Sequence, residues 1–273
     1  MISIPKIGQG TWDMPESGAR RDEAISALRR GIELGLTHID TAEMYGSGQV
    51  EEIVGQAVAG IPRGRLFIAT KVLPGNASYK GTIAACERSL RRLRMEYVDL
   101  FMLHWPSSHP IDQTVQALES LVESGKARYI GVSNFDVEEM REARKHLRGV
   151  PLAADQVLYH LRERSADARL IPYCAEHDIA VVAYTPFGRG RFPRKEAEPQ
   201  GVLGRIAAKH QKTARQVILN FLTRQPNVFT IPKASSIAHV EENAGAMGWN
   251  LDKEDVAAID AAFPVHDGPL ATL

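Results

Sequence analysis

Short runs of apolar and β-branched residues alternate with longer amphipathic runs from one end of the chain to the other. This alternation is typical of parallel strands joined by helices. It predicts strands at residues 7–10, 37–40, 66–71, 98–104, 129–133, 155–157, 181–185 and 229–232. Eight such units predict an α/β protein with a (β/α)8 TIM-barrel fold. Because barrels of about 250 residues are ordinarily single domains, we expect residues 1–273 to form one domain.

Helical periodicity is visible between the predicted strands. One set of apolar residues recurs at helical spacing and would share a helix face: Ile25, Leu28 and Ile32. Asp136, with Glu139 three residues later, predicts a capping box at the start of another helix. Residues 187–200 break the alternation, because glycine, proline and charged residues crowd together there without periodicity. We expect this segment to form a mobile loop after the seventh strand.

The charge balance narrows the choice of binding partner. Lys plus Arg and Asp plus Glu both total 33, so the formal net charge is zero and an electrostatic drive toward nucleic acid is missing. Cys86 and Cys174 form neither a CxxC pair nor a metal-ligand pattern, so we expect no disulfide framework and no metal site. No signal peptide and no run of about 18 apolar residues is evident. We expect a cytoplasmic protein, acting as a monomer on a small molecule, without a nucleic-acid or membrane partner.

Four polar residues fall at or just after the ends of predicted strands. Asp40, Lys71 and His104 end the second, third and fourth strands, and Tyr45 follows in the loop after Asp40. Side chains at these strand ends meet at one mouth of a parallel barrel, where active sites lie. Each residue alone has a structural explanation, such as a turn, an ion pair or rim packing. Together they form a plausible catalytic group. A buried lysine needs a carboxylate partner, and the charge of the lysine lowers the pKa of a nearby phenol.

This grouping predicts acid catalysis by Tyr45. A free tyrosine has a pKa of about 10, and we expect Lys71 to lower that pKa by roughly 2 to 3, so that the phenol exchanges a proton near neutral pH. His104 would hydrogen-bond the substrate oxygen and orient it toward Tyr45. A phenol can protonate a carbonyl oxygen, but it cannot give an electron pair to the carbon. The reaction therefore needs a hydride donor.

A binding site for that donor is predicted outside any Rossmann motif, since no complete G-x-G-x-x-G occurs in the chain. Residues 231–236 place Lys233, Ser235 and Ser236 between the last strand and a helix, an arrangement that suits a phosphate group. A helix cap with a surface lysine is the alternative interpretation of this segment.

Other polar and aromatic groups near strand ends suit a nicotinamide. Ser133 and Asn134 after the fifth strand, with Gln156 in the sixth, could hydrogen-bond a carboxamide. Tyr184 offers a flat face for stacking, although a tyrosine in a strand is more often part of the core. Two tryptophans would furnish apolar walls near the mouth: Trp12 and Trp105.

The ordered motifs of the chain resemble the aldo-keto reductase family. They lie at residues 8–12, 39–45, 103–106, 131–135 and 231–233, with Lys71 between the second and third. The resemblance runs from residue 8 to residue 243, nearly the whole chain. It implies an NADPH-dependent aldehyde reductase with Asp40, Tyr45, Lys71 and His104 as catalytic residues and Tyr45 as the acid.

The resemblance also implies the residues that contact an extended NADPH. Nicotinamide contacts would come from Ser133, Asn134, Gln156 and Tyr184. Pyrophosphate contacts would come from the loop at residues 185–190, with Thr185, Pro186, Phe187, Gly188 and Gly190 as the contact positions. The ribose phosphate and adenine would lie against Lys233, Ser235, Ser236, Glu242 and Asn243. The remaining cofactor positions would be Gly10, Thr11, Trp12, Asp40, Ile231, Ala234 and His239. The substrate would lie against Trp12, Tyr45, His104 and Trp105.

Within the family, residues 157–161 and 234–240 resemble bacterial enzymes that reduce methylglyoxal and similar aldehydes, and we expect aromatic aldehydes to be accepted as well. Many NADPH-specific members carry arginine at the position of His239, and a neutral imidazole holds a phosphate less firmly than a guanidinium does. NADH is therefore a second candidate cofactor. The short connection after His104 and the few residues after Phe263 predict an open, tolerant substrate pocket.

Two other functions fit parts of the sequence. A barrel aldolase could use Lys71 to form a Schiff base, but the residues that suit a cofactor would then lack a purpose. A non-catalytic subunit could bind a nicotinamide cofactor and sense redox state, but all four catalytic positions are occupied in this chain.

Overall fold

A closed barrel of parallel strands forms the centre of the molecule. The computed structural model describes residues 2, 4–193 and 201–272. Its strands are β1 (Gln9–Gly10), β2 (His38–Asp40), β3 (Phe67–Val72), β4 (Val98–Leu103), β5 (Ala127–Ser133), β6 (Leu152–Leu158), β7 (Ala180–Tyr184) and β8 (Val228–Thr230). They pair in the order β1 to β8, and parallel bridges from Ile7 to Thr230 and from Gly10 to Lys233 join the first strand to the last. The predicted (β/α)8 fold is confirmed.

Helices follow the strands and cover the outside of the barrel. They are α1 (Gly18–Glu33), α2 (Gln49–Ala57), α3 (Tyr79–Leu93), α4 (Ile111–Glu123), α5 (Val137–Lys145), α6 (Ser165–Ala168), α7 (Leu170–Glu176), α8 (Val202–His210), α9 (Ala214–Leu222), α10 (Ile237–Ala244) and α11 (Lys253–Ala262). The predicted capping box of Asp136 and Glu139 is present at the start of α5. Among the described residues, no helix has both the length and the apolar character to span a membrane.

The segment predicted as a mobile loop is described only in part. Residues 187–193 follow β7 without helix or strand, while 194–200 lie outside the described residues. Its mobility stays a prediction.

Small residues let the strands approach closely inside the barrel. A side chain at Gly10 would come within 2.5 Å of the Ile231 carbonyl oxygen, so only glycine allows β1 to lie against the chain after β8. Gly131 on β5 similarly faces the Ala154 carbonyl oxygen of β6, at 2.8 Å from the site of a Cβ atom. A compact apolar layer fills the interior below the site: Phe67, Ala69, Leu100, Met102, Ala154, Ala180 and Phe229.

A histidine lies in this interior layer. His38 is two residues before Asp40 on β2, so both side chains point to the same side of the sheet. Its ring is fully buried with its edge against Phe67, and neither ring nitrogen has a hydrogen-bond partner within the described part of the chain. Burial lowers the pKa of His38 from 6.5 to about 4. The folded protein therefore keeps this imidazole neutral at pH values where the unfolded chain protonates it.

We expect this difference to make the protein sensitive to acid. The stabilisation from His38 is complete above pH 6.5 and is lost as the pH falls to about 4, at a cost of about 3 kcal/mol in unfolding free energy. Urea denaturation of the wild type and of His38→Leu between pH 7 and pH 4.5 measures this effect. The variant should lose less stability on acidification, and equal losses in the two proteins would contradict the assignment.

Candidate active site

The four strand-end residues predicted to act together lie within contact of one another. Asp40 ends β2, Lys71 is in β3, His104 follows β4, and Tyr45 begins a short 3-10 turn after β2. The Lys71 Nζ atom donates to Asp40 Oδ2 at 2.8 Å and lies 3.3 Å from the Tyr45 hydroxyl. It also donates to the Thr41 carbonyl oxygen at 2.8 Å. Separate segments of the chain therefore meet around one ammonium group.

The charge state of Lys71 follows from these contacts. Its side chain is completely buried, and burial acts to lower its pKa. The carboxylate of Asp40 and the phenol of Tyr45 more than offset burial, so the pKa of Lys71 lies above its ordinary value of 10.5. Lys71 is therefore an ammonium ion, paired inside the protein with a carboxylate that is itself 2% exposed.

The expectation that Lys71 would bring the pKa of Tyr45 toward neutrality is wrong for this structure. Burial of the phenol raises that pKa above 10.0, and the nearby Lys71 ammonium offsets burial only in part. Desolvation outweighs the single positive charge because a phenolate loses its water shell at this depth. Tyr45 is thus protonated at neutral pH, with an ammonium positioned to stabilise the anion that would remain after proton transfer.

His104 is a neutral imidazole beside this group. Burial, together with the charge of Lys71, lowers its pKa to about 2. Its ring centre lies 5.7 Å from that of Tyr45, in an edge-on arrangement, and 4.9 Å from that of Trp105. A neutral imidazole can donate one hydrogen bond to an oxygen atom near the Tyr45 hydroxyl without adding charge.

A set of amide and hydroxyl groups continues the site from β5 to β7. Gln156 Nε2 donates to Asp40 Oδ1 at 2.8 Å, so Lys71 and Gln156 hold the two carboxylate oxygens separately. The Tyr184 hydroxyl donates to Asn134 Oδ1 at 2.8 Å, and Asn134 Nδ2 donates to the His104 carbonyl oxygen at 3.2 Å. The contact of Gln156 with the carboxylate could not be foreseen from the sequence, which indicated only a group for binding a carboxamide.

The site opens into a cavity of about 1050 Å³ at the C-terminal ends of the strands. Most of the residues predicted for cofactor and substrate line it: Gly10, Thr11, Trp12, Asp40, Tyr45, His104, Trp105, Ser133, Asn134, Gln156, Tyr184, Thr185, Pro186, Phe187, Gly190, Ile231 and Lys233. Trp12 and Trp105 remain 44% and 39% exposed, so the apolar walls of the mouth face outward. This volume is at the upper end of the range for small-molecule sites, and a large or two-part ligand fits it.

Comparison with known proteins identifies the family. The sequence profile of the aldo/keto reductase family matches residues 6–263. The chain belongs to the aldo/keto reductase family. Methylglyoxal reductase YeaE of Escherichia coli is 42% identical over 99% of this chain and 95% of its own length. A glyoxal reductase of Bacillus subtilis is 37% identical, covering 95% of this chain and 89% of its own. A crystal structure of an aldo/keto reductase from Klebsiella pneumoniae in complex with NADP and acetate is 40% identical, with a TM-score of 0.92 over 99% of this chain and 96% of that one.

Several predicted positions of this reductase lie away from the cavity wall. Lys71 is behind it, in contact with Asp40 and Tyr45. The others belong to the turn after β7 or to the segment that leads into and through α10: Gly188, Ala234, Ser235, Ser236, His239, Glu242 and Asn243. Lys233, which lines the cavity, donates from Nζ to Ser235 Oγ at 3.3 Å. This contact connects the segment before α10 to the cavity wall. Ser236 precedes α10 without a side-chain capping bond, and His239 is exposed on that helix.

The cavity also has lining residues that sequence reasoning missed. They are Asp13, Met44, Pro106, Asp136, Glu139, Arg215, Pro269, Leu270 and Thr272. The last three belong to the C-terminal segment, whose path over the mouth has no local sequence signal. Arg215 is the second residue of α9. Arg189 also lines the cavity, but it belongs to the loop at residues 185–190 that the resemblance implies for the pyrophosphate. Asp136 and Glu139 were recognised only as a helix cap.

Proposed function

We propose that this aldo/keto reductase reduces small aldehydes to alcohols, with NADPH as the electron donor and Tyr45 as the proton donor. The observation that carries the proposal is the buried phenol of Tyr45, 3.3 Å from the Lys71 ammonium at the floor of a large cavity. Methylglyoxal, glyoxal and aromatic aldehydes are the substrates we expect. The first two are suggested by the names of the relatives from Escherichia coli and Bacillus subtilis.

The residues around the cavity fit a nicotinamide dinucleotide. Ser133, Asn134 and Gln156 offer hydroxyl and amide groups on one wall, and Tyr184 offers an aromatic face beside them. Lys233 lines the cavity just after β8, where parallel barrels often bind phosphate. When bound there, the reduced nicotinamide would supply a hydride to the carbonyl carbon.

The side chains of this protein would supply the proton and hold the substrate. The Tyr45 hydroxyl donates its proton to the carbonyl oxygen, and the Lys71 ammonium stabilises the resulting phenolate. Asp40 keeps Lys71 charged. His104 donates a hydrogen bond to the same oxygen, which directs the carbonyl toward Tyr45. The exposed rings of Trp12 and Trp105 flank the substrate and place few demands on its shape.

The geometry around Lys71 argues against a Schiff-base aldolase. Its Nζ atom has three oxygen partners, on Asp40, Thr41 and Tyr45, and its pKa is raised. A protonated amine has no free electron pair and cannot attack a carbonyl carbon. A purely cofactor-binding, redox-sensing role leaves the Lys71–Tyr45 contact without a purpose.

We also propose that the protein acts as a monomer in the cytoplasm, with residues 1–273 as one functional unit. The support for a monomer is that Asp40, Tyr45, Lys71 and His104 come from a single chain, so no partner is needed to complete the site.

A substrate panel followed by loss of reduced-nicotinamide absorbance tests the function. Methylglyoxal, glyoxal and 4-nitrobenzaldehyde should each oxidise NADPH, and NADH should work less well. The weaker use of NADH is expected because Lys233 and the groups before α10 favour an additional phosphate. Protein that binds NADPH but never oxidises it with any aldehyde would contradict the proposal and favour the redox-sensing alternative.

A further inference from the structure

A buried arginine outside the catalytic group contacts the end of the last helix. Arg164 lies between β6 and α6, and its side chain is 2% exposed. Its Nε atom donates to Asp167 Oδ2 at 2.8 Å. Its Nη1 atom donates to the Phe263 carbonyl oxygen at 2.6 Å and lies 2.8 Å from Asp260 Oδ1. Burying a charge is costly unless it is paired, so these contacts fix the positions of Arg164 and of the groups that it binds.

Two of the three partners lie where α11 ends. Asp260 is in the last turn of the helix, and Phe263 directly follows its last residue. The carbonyl groups at a helix C-terminus lack partners within the helix and carry partial negative charge, so a cation is stabilising there. Arg164 therefore fixes the point at which the chain leaves α11.

The segment after this point, residues 264–272, contains neither helix nor strand. In the part of the chain that the structure describes, its one hydrogen bond joins His266 Nε2 and Glu163 Oε1 at 3.1 Å. Glu163 is the residue before Arg164, so both connections lead to the same place between β6 and α6. Three residues of the segment line the cavity: Pro269, Leu270 and Thr272. With so few polar contacts of its own, the segment depends for its path on where it leaves α11.

We propose that Arg164 is a positioning residue for the substrate, which holds the C-terminal segment against the cavity so that Leu270 forms an apolar wall for large aldehydes. This inference rests on the proposed function and adds a determinant of substrate selectivity to it. An aromatic aldehyde is large enough to contact such a wall, whereas methylglyoxal offers few apolar atoms. Loss of Arg164 should therefore change the selectivity among aldehydes, while proton donation by Tyr45 is unaffected.

Arg164→Met is a suitable variant because it leaves no carboxylate buried without a partner. Asp167 keeps the Tyr159 hydroxyl at 2.8 Å and Arg224 Nη2 at 3.8 Å, and the Asp260 side chain is 44% exposed. Steady-state kinetics should show a KM for 4-nitrobenzaldehyde raised by about tenfold, the scale of a lost apolar contact. The KM for methylglyoxal and both kcat values should stay within about twofold of the wild type. Arg164→Lys should recover part of the lost selectivity.

Arg224→Met is the matched control. Arg224 also contacts Asp167, and its Nη1 atom donates to the Phe221 carbonyl oxygen in the last turn of α9 at 2.9 Å. It thus has the same kind of partners as Arg164, but at another helix end, and the ratio of the two KM values should stay that of the wild type.

A double-variant comparison tests whether Arg164 acts through the segment. Leu270→Ala alone should also raise the KM for 4-nitrobenzaldehyde, and adding Arg164→Met to it should raise that KM little further, because both changes remove the same wall. Additive effects of the two substitutions would overturn the inference. Equal increases in KM for both aldehydes in Arg164→Met, or the same change of the KM ratio in Arg224→Met, would overturn it as well.

Limited digestion with elastase gives a readout that does not depend on activity. Cleavage within residues 264–272, followed by mass spectrometry, should be faster in Arg164→Met than in the wild type and in Arg224→Met. Equal cleavage rates in the three proteins would contradict the role of Arg164 in holding the segment. A wild type that oxidises NADPH with neither aldehyde would instead contradict the proposed function.

Discussion

Replacing Tyr45 by phenylalanine is expected to lower kcat for aldehyde reduction by about 10²- to 10⁴-fold, the usual contribution of a positioned general acid. The ring of Phe fills the same space, so the edge-on contact with His104 should persist. Only the proton donor 3.3 Å from Lys71 is removed. The Kd for NADPH should change little, because the phenol acts on the substrate oxygen. Steady-state kinetics and fluorescence titration of the same preparations measure the two quantities.

Tyr79→Phe is the control for this variant. Tyr79 begins α3, is 40% exposed, and its hydroxyl contacts Ser120 at 2.9 Å on the outside of the barrel. Its loss should leave kcat unchanged. Turnover by Tyr45→Phe at a rate close to that of the wild type would rule out Tyr45 as the proton donor.

Replacing Lys71 by methionine is expected to lower both stability and activity. Methionine fills much of the space but leaves the buried carboxylate of Asp40 without its cation. Removing one partner of a buried ion pair typically costs about 3 to 5 kcal/mol of unfolding free energy. The loss of the ammonium should also lower kcat by about 10²-fold, since the phenolate of Tyr45 would no longer be stabilised. Urea denaturation and kinetics at pH 7 measure these effects.

A second substitution separates the two roles of Lys71. In Lys71→Met combined with Asp40→Asn, neither member of the ion pair leaves an unpaired buried charge, and the amide oxygen introduced on β2 can still accept a hydrogen bond from Gln156. This double variant should recover most of the lost stability, while its kcat stays about 10²-fold below that of the wild type. Recovery of activity along with stability would mean that Lys71 serves only the fold, and no recovery of stability would contradict the ion-pair explanation.

The sequence allowed the fold and the centre of the site to be predicted. Alternation of apolar and amphipathic runs marked every strand, because each strand of a parallel barrel is short and is buried on both sides. Asp40 ends β2 and Lys71 is the next-to-last residue of the neighbouring strand β3, so parallel pairing brings them to the same end of the barrel. The position of Tyr45 could be predicted because it lies in the connection that directly follows Asp40. These inferences depend on the local pattern of apolar residues and on the rule that the C-terminal ends of parallel strands meet at one mouth of the barrel.

The properties that could not be predicted from the sequence depend on the three-dimensional surroundings of each residue. The pKa of Tyr45 is a balance between burial and the charge of Lys71, and the depth of burial cannot be read from residue spacing. Arg215 reaches the cavity from a helix that is separated in sequence from the turn it contacts, and nothing in its own segment indicates this. His38 resembles any strand residue until the interior of the barrel is seen.

Transfer of an isotopic label tests the central claim most directly. Methylglyoxal or 4-nitrobenzaldehyde is reduced with NADPH that carries deuterium at the reactive carbon of its nicotinamide, and the alcohol is analysed by mass spectrometry and NMR. We predict one deuterium on the carbinol carbon, with no product from Tyr45→Phe on the same timescale. An alcohol without deuterium, or a labelled alcohol formed equally fast by Tyr45→Phe, would contradict hydride transfer coupled to proton donation by Tyr45.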